Sequence, residues 1–457
     1  MNVVLISTYE LGRQPFGLAS AAAWLNEAGA SVTCLDLAVQ HVVDEPIRSA
    51  DVVAFYVPMH TATRIATAAV DGVKRLNPTA HLCFFGLYAP VNEGYLRKLG
   101  ADTILGGEFE EGLVSLIRRL AAPGQRLSPA PQHEPVVSMS RMQFLVPDRS
   151  GLPMLGAYAH LTIGTQERRT VGYTEASRGC KHLCRHCPIV PVYQGRFRIV
   201  QREVVLEDIR RQVAAGAQHI TFGDPDFFNG IGHAIPLIEA LHREHPTLTY
   251  DVTIKIEHLL KHREHLVTLR DTGCLFVTSA VEAIDDTILA IFEKHHTRDD
   301  FVEVVSLFRQ AGLMLFPTFV TFTPWTSLAS YRDLLALLVE LELVDYVPPI
   351  QLAIRLLIPA GSRLLELPMV QDLVGDFDEA ALYYPWAHAD PRVDQLHADV
   401  LTIVQRGQAT SQTRRTIFEQ VWQRAHAALG LEAPALPRAR DGLPQVPIPY
   451  LSEPWFC

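Results

Sequence analysis

The sequence predicts an α/β protein built from two successive parallel-sheet domains. Short apolar runs typical of strands alternate with helical segments, first over residues 1–121 and again over residues 171–360. Glycines such as Gly29, Gly216 and Gly312 lie where left-handed helix caps are expected. A chain of 457 residues has ample material for several cores.

Residues 1–121 are predicted to form an open parallel sheet with helices on both faces. The strand candidates are NVVLIS, SVTCLD, DVVAFY, HLCFFG and DTIL. Ligands of such sheets bind beyond the carboxyl ends of the strands. We therefore expect a binding edge at the loops that follow the strands, which are residues 8–16, 57–63, 86–92 and 106–108.

Residues 122–170 contain AAPGQRLSPAPQHEP and are predicted to be a domain linker. Residues 171–360 then offer six strand candidates, VGYTE, HITFG, YDVTI, LFVTSA, LFPTFVTF and PIQLAIRL, which predict a partial (β/α)6 barrel. Residues 361–457 are predicted to be a helical C-terminal region with an extended, Pro-rich tail. At ~3.1 Å per residue, the stretch after Pro437 reaches on the order of 60 Å, enough to carry Cys457 across the molecule.

Composition and charge exclude several classes of partner. The net charge is -10, and no Lys/Arg block is interleaved with aromatic residues, so we expect no nucleic acid. The N-terminus has no signal-peptide pattern and no apolar run is long enough to span a bilayer, so we expect a soluble, cytoplasmic protein without a membrane partner. Cys34, Cys83 and Cys274 are predicted to be buried packing residues.

The segment SRGCKHLCRHCPIV brings Cys180, Cys184 and Cys187 together in one loop. Three thiolates without a fourth nearby cysteine suit a [4Fe–4S] cluster in which one iron has no protein ligand. A zinc site that uses His182 or His186 is the alternative. The position after the first barrel strand favours the cluster, because catalytic loops lie at that end of barrel strands.

This C-x3-C-x2-C triplet resembles the signature of the radical S-adenosylmethionine (SAM) superfamily. In that family the open iron binds SAM, and an electron from the cluster cleaves a carbon–sulfur bond. The resemblance implies that a [4Fe–4S] cluster and SAM are cofactors, that a reductant such as ferredoxin or flavodoxin is a partner, and that the substrate is a small molecule or a peptide.

The same resemblance implies further contacts to SAM. The loop ITFGDPDFFNG matches the segment that contacts the methionyl amine, which includes Gly223, Asp224, Pro225 and Asp226. Glu282 matches an acidic residue that commonly binds the ribose. Lys255 and Glu257, in TIKIEHLL, lie at positions that often approach SAM, but their alternation with isoleucines is also typical of the polar face of a strand.

The first domain resembles that of the cobalamin-binding radical SAM group, in QPFGLASAAAWLNEAGASVTCLDL and ADTILGGEFEEGL. The resemblance implies a flavodoxin-like domain that binds cobalamin. The D-x-H-x-x-G motif, which gives some cobalamin proteins a histidine ligand, is absent from the corresponding loop STYELGRQPFG. A cobalamin-loaded domain and a cofactor-free domain therefore both stay open.

Four segments resemble the radical SAM proteins named for a Cys-Sec-Ala-Glu-Pro or Cys-Cys-Ala-Glu-Pro tail, namely SRGCKHLCRHCPIVPVYQGRFRIV, FGDPDF, RLLIPAGSRLL and YLSEPWFC. The printed sequence ends at Cys457, where the second tail residue follows in that family. One hypothesis is that a selenocysteine codon comes next. Cys457 is then a candidate thiol acceptor, donor or soft-element ligand, whereas an idle terminal cysteine is the alternative.

These patterns predict an enzyme that cleaves SAM reductively and modifies a substrate, either through a substrate radical or by cobalamin-dependent methyl transfer. One alternative is the transfer of a 3-amino-3-carboxypropyl group to a soft element, with a cofactor-free first domain. A second alternative is an iron–sulfur or zinc sensor without turnover.

Overall fold

The computed structural model describes residues 1–41, 43–122, 133–164, 167–437 and 450–451. These residues form a parallel-sheet domain, a curled half-barrel and a helical C-terminal region. The predicted α/β class is confirmed, with a flavodoxin-like sheet ahead of a partial barrel.

The first sheet has the order β2-β1-β3-β4-β5-β6, and every pair in it is parallel. Its strands are β1 (Asn2–Ser7), β2 (Ser31–Asp36), β3 (Val52–Tyr56), β4 (His81–Phe85), β5 (Thr103–Gly107) and β6 (Val137–Ser138). Its helices are α1 (Phe16–Glu27), α2 (Asp44–Arg48), α3 (His60–Leu76), α4 (Tyr88–Val91), α5 (Glu93–Lys98) and α6 (Glu110–Ala121).

Alternating apolar residues of the strands fill both faces of this sheet. Val3 and Leu5 pack with the helices α1 and α6, whereas Val4 and Ile6 pack on the opposite face with α3. Because both faces are covered, the strands are apolar throughout, as parallel sheets are.

The second sheet has the order β14-β13-β12-β11-β8-β7-β15. Its strands are β7 (His160–Ile163), β8 (Glu167–Thr174), β11 (His219–Phe222), β12 (Thr249–Thr253), β13 (Cys274–Glu282), β14 (Met314–Phe319) and β15 (Tyr450–Leu451), and a separate hairpin pairs β9 (Ser177–Gly179) with β10 (Phe197–Ile199). The strands β8 and β11 to β14 run parallel, and β7 lies antiparallel between β8 and β15.

Helices cover the outside of the half-barrel and build the C-terminal region. Those of the barrel are α7 (Val190–Tyr193), α8 (Arg202–Ala214), α9 (Ile231–Glu244), α10 (Ile256–Lys261), α11 (Leu266–Asp271), α12 (Asp286–Phe292), α13 (Arg298–Ala311) and α14 (Leu328–Glu340). Those that follow are α15 (Pro368–Gln371), α16 (Pro391–Ala409) and α17 (Arg414–Ala428). None of the helices in the described ranges is long and apolar enough to cross a membrane.

The sixth predicted strand, PIQLAIRL, is reduced to an isolated parallel bridge between Phe322 and Arg355. Its first half, Pro349–Leu352, is a short 3-10 helix instead. The side chain of Gln351 accepts a hydrogen bond from the backbone N–H of Phe319 at 2.9 Å. The side chain of Gln351 therefore takes the hydrogen-bonding place of a strand backbone beside Phe319. The apolar pattern of the segment did not predict this.

The segment predicted as a linker takes part in both sheets, because it supplies β6 to the first and β7 to the second. Arg149 joins the two domains. Its guanidinium contacts Asp208 of α8 at 2.8 Å, donates to Gln14 at 2.8 Å and donates to the carbonyl of Tyr173 at 2.6 Å. These contacts favour a rigid connection at this point rather than a free linker.

The Arg149→Met variant is expected to lose about 3 to 5 kcal/mol of unfolding free energy, because it leaves the buried Asp208 carboxylate without its cation. The matched control is Arg263→Met, which removes an exposed pair with Glu303 and is expected to cost less than ~1 kcal/mol. Urea unfolding followed by circular dichroism measures both. Equal losses in the two variants contradict the prediction.

Candidate functional site

The three clustered cysteines follow β9 at the carboxyl end of the first barrel strand, where the sequence predicted them. All three are free thiols. The pKa of Cys187 is raised to about 12, chiefly by burial and in part by the neighbouring Cys184 and Cys180. Cys184 is buried, whereas Cys180 and Cys187 are half-buried. The three cysteines lie in one loop, as the donor set of a cluster with three protein ligands does.

Backbone contacts from two distant segments hold this cysteine loop in place. Arg185 N–H donates to the carbonyl of Phe292 at 3.0 Å, and Ser362 Oγ donates to the carbonyl of Arg185 at 3.2 Å. Arg363 Nη1 donates to the carbonyl of Leu183 at 2.6 Å. Ser362 and Arg363 lie in the quoted segment RLLIPAGSRLL, but their role in supporting the loop was not predicted.

Asp224 anchors the chain just ahead of Cys180. Its carboxylate accepts the backbone N–H of Ala176 at 2.9 Å and the hydroxyl of Ser177 at 2.5 Å. Burial raises the pKa of Asp224 to about 7, against the lowering effect of the two hydrogen bonds. The preceding Gly223 has no room for a side chain, since a Cβ there would lie 1.8 Å from the hydroxyl of Tyr173.

Asp226 lies between two histidines. Its Oδ2 atom is 2.6 Å from Nδ1 of His258 and 3.3 Å from Nε2 of His182. Burial alone raises the pKa of Asp226, but the two histidines hold it well below the ordinary value. His258 was missed by the sequence analysis, because it belongs to α10 and reaches the site only through the fold.

Lys255 and Glu257 lie beside the same histidine, His182. Lys255 Nζ is 3.3 Å from Nδ1 of His182 and 3.1 Å from Oε2 of Glu257. The alternation with isoleucines does not place Lys255 on a polar strand face. Instead β12 ends at Thr253, and Lys255 is a buried residue that precedes the first turn of α10.

Glu282 ends β13 in the left-handed region, at φ 69°, where the register of the sheet shifts. Its Oε1 atom lies 3.2 Å from Nζ of the buried Lys294 and 3.1 Å from Nε2 of His186. Burial raises the pKa of Glu282, yet Lys294 and His186 more than reverse this and keep it well below the ordinary value. Lys294 was not predicted, since nothing in its local sequence marks it.

Arg178, two residues before Cys180, connects the cysteine loop to the first domain. Its buried guanidinium contacts three carboxylates: Glu110 at 2.7 Å, Glu175 at 2.8 Å and Glu108 at 3.2 Å. It also lies within 5.6 Å of the ring centres of Phe16, Phe109 and Phe144. This charged cluster, here called the Arg178 clasp, was missed because its members are far apart in sequence.

A cavity of about 260 Å³ separates the carboxyl edge of the first sheet from the cysteine loop. Both domains line it, with Glu10, Phe109 and Leu87 on one side and Glu175, Tyr193 and Pro225 on the other. Its wall also contains glycines at the ends of strands and helices, namely Gly17, Gly86, Gly107, Gly179 and Gly223. The expected binding edge of the first domain thus faces the predicted cluster site.

A flavodoxin-like domain followed by a half-barrel, with C-x3-C-x2-C after the first barrel strand, is the arrangement that the resemblance to cobalamin-binding radical SAM proteins predicted. Residues 174–325 match the family model described as the Radical SAM superfamily. This match confirms the resemblance over the barrel, which is therefore a radical SAM domain.

Among proteins of known function, the hopanoid C-3 methylase of Methylococcus capsulatus is 25% identical over 326 residues, 68% of this chain and 62% of that protein. The ribosomal protein uS12 methylthiotransferase RimO of Syntrophotalea carbinolica is 25% identical over 177 residues, which cover 37% of this chain and 39% of RimO. The chain thus spans about three fifths or less of the length of these relatives.

Two solved structures share the fold. The cobalamin-dependent SAM radical enzyme OxsB, with aqua-cobalamin and SAM bound, has a TM-score of 0.69 at 13% identity and covers 89% of this chain and 66% of its own. The radical SAM methyltransferase TsrM from Kitasatospora setae, with cobalamin and a [4Fe–4S] cluster bound, has a TM-score of 0.57 at 17% identity and covers 75% and 70%. The resemblance to the subgroup with a Cys-Sec or Cys-Cys tail stays a prediction.

The Arg178 clasp predicts a specific pH dependence of stability. Burial raises the pKa of Glu108 to about 7, with Arg178 opposing and Glu110 adding to the rise. Because the folded state holds this proton more tightly than the unfolded chain, the contribution of Glu108 to stability is full below about pH 4.5 and declines as the pH rises to about 7. The Glu108→Gln variant should therefore gain up to about 3 kcal/mol relative to wild type between pH 5 and pH 8.

Urea unfolding at four pH values from 5 to 8 measures this difference. The control is Glu419→Gln, an exposed glutamate of α17. Its difference from wild type is expected to stay constant with pH. A constant difference for Glu108→Gln as well shows that the clasp does not hold a raised carboxyl pKa.

Proposed function

We propose that this protein uses Cys180, Cys184 and Cys187 to hold a [4Fe–4S] cluster, cleaves SAM reductively and modifies a small-molecule or peptide substrate. The observation that carries the proposal is the position of three free cysteines in one loop at the carboxyl end of the first barrel strand. Hydrogen bonds from distant segments to the backbone hold this loop. When bound, the cluster supplies the electron that breaks a carbon–sulfur bond of SAM. The protein itself orients SAM and keeps water away.

We assign the SAM contacts to the residues around this loop. The carboxylates of Asp224 and Asp226 already contact other protein groups, so the backbone of Gly223 and Pro225 is the part of that loop left to meet SAM. Glu282 is held in place by two cations and is assigned to the ribose. Lys255 and Glu257 are assigned to the methionyl part on the other side of His182.

We propose further that cobalamin binds in the cavity between the domains, where it supplies a methyl group for transfer. The lining of the cavity supports this assignment, because it combines Gly86 and Gly107, which carry no side chain, with the aromatic residues Phe16, Tyr56 and Phe109. The bound cobalamin in OxsB and TsrM supports it as well. Tyr56, packed against Phe109 at the same edge, is the side chain expected to face the ligand.

A first domain without cofactor is the second candidate. The observation that favours it is the cavity volume of about 260 Å³, which lies just below the ~300 to 1,000 Å³ usual for pockets that hold drug-sized ligands. On this reading the enzyme does not methylate, and the first domain serves as one wall of the substrate site.

Cys457 lies outside the described residues, and its role stays a proposal. The direction of β15 supports it: β15 pairs antiparallel with β7, so it runs parallel to β8 and points toward the carboxyl ends of the barrel strands. Six residues follow Leu451 in the sequence and span up to ~20 Å when extended. On this proposal Cys457 acts as a thiol acceptor, donor or soft-element ligand near the site.

The Cys184→Ala variant is expected to lose iron loading and SAM cleavage completely, because two thiolates do not hold a [4Fe–4S] cluster at an open site. The control, Cys34→Ala, removes a buried cysteine of β2 and should retain both properties. Iron analysis and chromatography of dithionite-reduced reactions measure them. Iron and SAM cleavage retained at wild-type level in Cys184→Ala contradict the assignment.

The products of the same reactions separate the candidate functions. Formation of 5′-deoxyadenosine or S-adenosylhomocysteine supports the proposed enzyme, whereas methylthioadenosine identifies 3-amino-3-carboxypropyl transfer. A protein that loads iron but forms none of these products is a sensor without turnover.

Cobalamin binding is tested with hydroxocobalamin and anaerobic protein by equilibrium dialysis. The Leu87→Trp variant places a large ring in the cavity wall and is expected to weaken binding at least tenfold. The control is Ile65→Trp, an exposed position on α3 of the same domain, which should bind like wild type. Wild-type protein that retains no corrinoid supports the cofactor-free candidate instead.

A further inference from the structure

Three side chains beside the cysteine loop converge without forming hydrogen bonds. Oδ2 of Asp226 lies 2.6 Å from Nδ1 of His258 and 3.3 Å from Nε2 of His182, yet none of the three atoms has a hydrogen-bond partner among the described residues. The contacts are short, but the nitrogens and the oxygen are not aligned as donor and acceptor. A buried polar atom in this condition requires an explanation.

The site is buried and is built from three separate elements. Asp226 and His258 are each about 1% exposed, and His182 is mostly covered. Asp226 follows β11, His258 belongs to α10, and His182 is part of the cysteine loop. The two imidazole rings lie 4.7 Å apart, tilted by 56°. Their nitrogens therefore approach the carboxylate from different directions.

We propose that His182, Asp226 and His258 bind one divalent transition-metal ion, distinct from the cluster of the three cysteines. Two imidazole nitrogens and one carboxylate oxygen are the donor set of many zinc and non-haem iron(II) sites. With bonds of ~2.0 to 2.2 Å, neighbouring ligand atoms lie roughly 3 to 3.5 Å apart. Asp226 and His182 already have this spacing. The distance between Asp226 and His258 has to increase by less than ~1 Å to reach it.

Groups around His182 complete the site. When Nε2 of a histidine binds a metal, the other nitrogen carries a proton and usually donates it to a carboxylate or carbonyl. Nδ1 of His182 lies 3.7 Å from Oε2 of Glu257, outside hydrogen-bond distance, and 3.3 Å from Nζ of Lys255, so these side chains shift before Glu257 accepts that proton. Lys255, near the same nitrogen, keeps a partner in Glu257 at 3.1 Å.

The position of the site suggests what the ion does there. Three protein ligands leave at least one coordination position for water or a substrate oxygen, as in catalytic rather than structural sites. Pro225, the residue before Asp226, lines the cavity between the domains. The ion thus lies next to the region assigned to SAM and substrate, where it can polarise an oxygen of the substrate.

Cys180 is a further candidate ligand, since its sulfur lies within 4.8 Å of the ligand atoms of His182 and Asp226. The experiment therefore uses the full chain with Cys180, Cys184 and Cys187 all changed to Ala, which removes the cluster and its absorption. Titration with Co²⁺ is expected to produce visible d–d bands that saturate at one equivalent, without the near-ultraviolet band of a thiolate ligand.

In the same background, His258→Gln is expected to weaken Co²⁺ binding at least tenfold. The matched control is His262→Gln, the same change one helical turn further along, and it should bind like the parent. Circular dichroism verifies that each variant is folded. Absence of Co²⁺ binding in the folded parent, or equal affinity in the two histidine variants, overturns the proposal.

Metal analysis of the wild-type holoenzyme supplies an independent measurement. One zinc per chain in addition to the cluster iron supports the site, and its loss in His258→Gln with the iron retained supports the assignment of the ligands. Zinc retained in His258→Gln overturns it. Because the Co²⁺ titration needs no cluster, failure of the proposed SAM chemistry leaves this result unaffected.

Discussion

The Arg178 clasp is the interaction on which the geometry of the site depends. A single guanidinium joins Glu108 and Glu110 of the first domain to Glu175 of the barrel, and it lies two residues ahead of Cys180. The position of the cysteine loop relative to the first sheet is therefore fixed by charge rather than by apolar packing alone. Removal of the Arg178 guanidinium leaves three carboxylates without their cation, which is far more costly than loss of an exposed pair.

The clasp also explains how so many carboxylates are tolerated in one buried place. Burial raises the pKa of Glu108 and of Glu175 to about 7, so each carries a proton part of the time at neutral pH. The phenylalanine rings around Arg178 add attraction to its cation and keep water out. A buried ion cluster of this kind contributes more to a defined geometry than to net stability. Here it defines the distance between the carboxyl edge of the first sheet and the cysteine loop.

The features that the sequence predicted correctly are those that depend on a local pattern of residues. Alternating apolar runs and helix-capping glycines identified the strands, and the spacing of three cysteines predicted the superfamily whose model matches residues 174–325. Both signals lie within a few residues of the chain. The sixth barrel strand was predicted wrongly in its first half for the same reason. Its apolar run is strand-like, but the buried side chain of Gln351 pairs with a strand 32 residues away.

The remainder of the site depends on contacts between residues far apart in the chain. His258 contacts Asp226 from the next barrel unit, since Asp226 follows β11 and His258 follows β12. Lys294 contacts Glu282 from beyond α12. Neither residue lies in a motif, and in sequence each resembles an ordinary surface residue. The alternation around Lys255 even indicated an exposed strand face, whereas the strand ends first and the lysine is buried.

The backbone strain at Glu282 is likewise maintained by contacts with residues far apart in the chain. A glutamate at φ 69° costs on the order of 1 to 3 kcal/mol and persists only where its surroundings hold it. Lys294 and His186 provide that restraint through their ion pairs with the carboxylate. The strained backbone at Glu282 therefore places one charged group at the carboxyl end of the barrel strands. Since His186 belongs to the cysteine loop, the strain also connects that loop to β13. The loop is thereby bound on three sides, by the clasp, by Glu282 and by Asp226, before any cofactor is present.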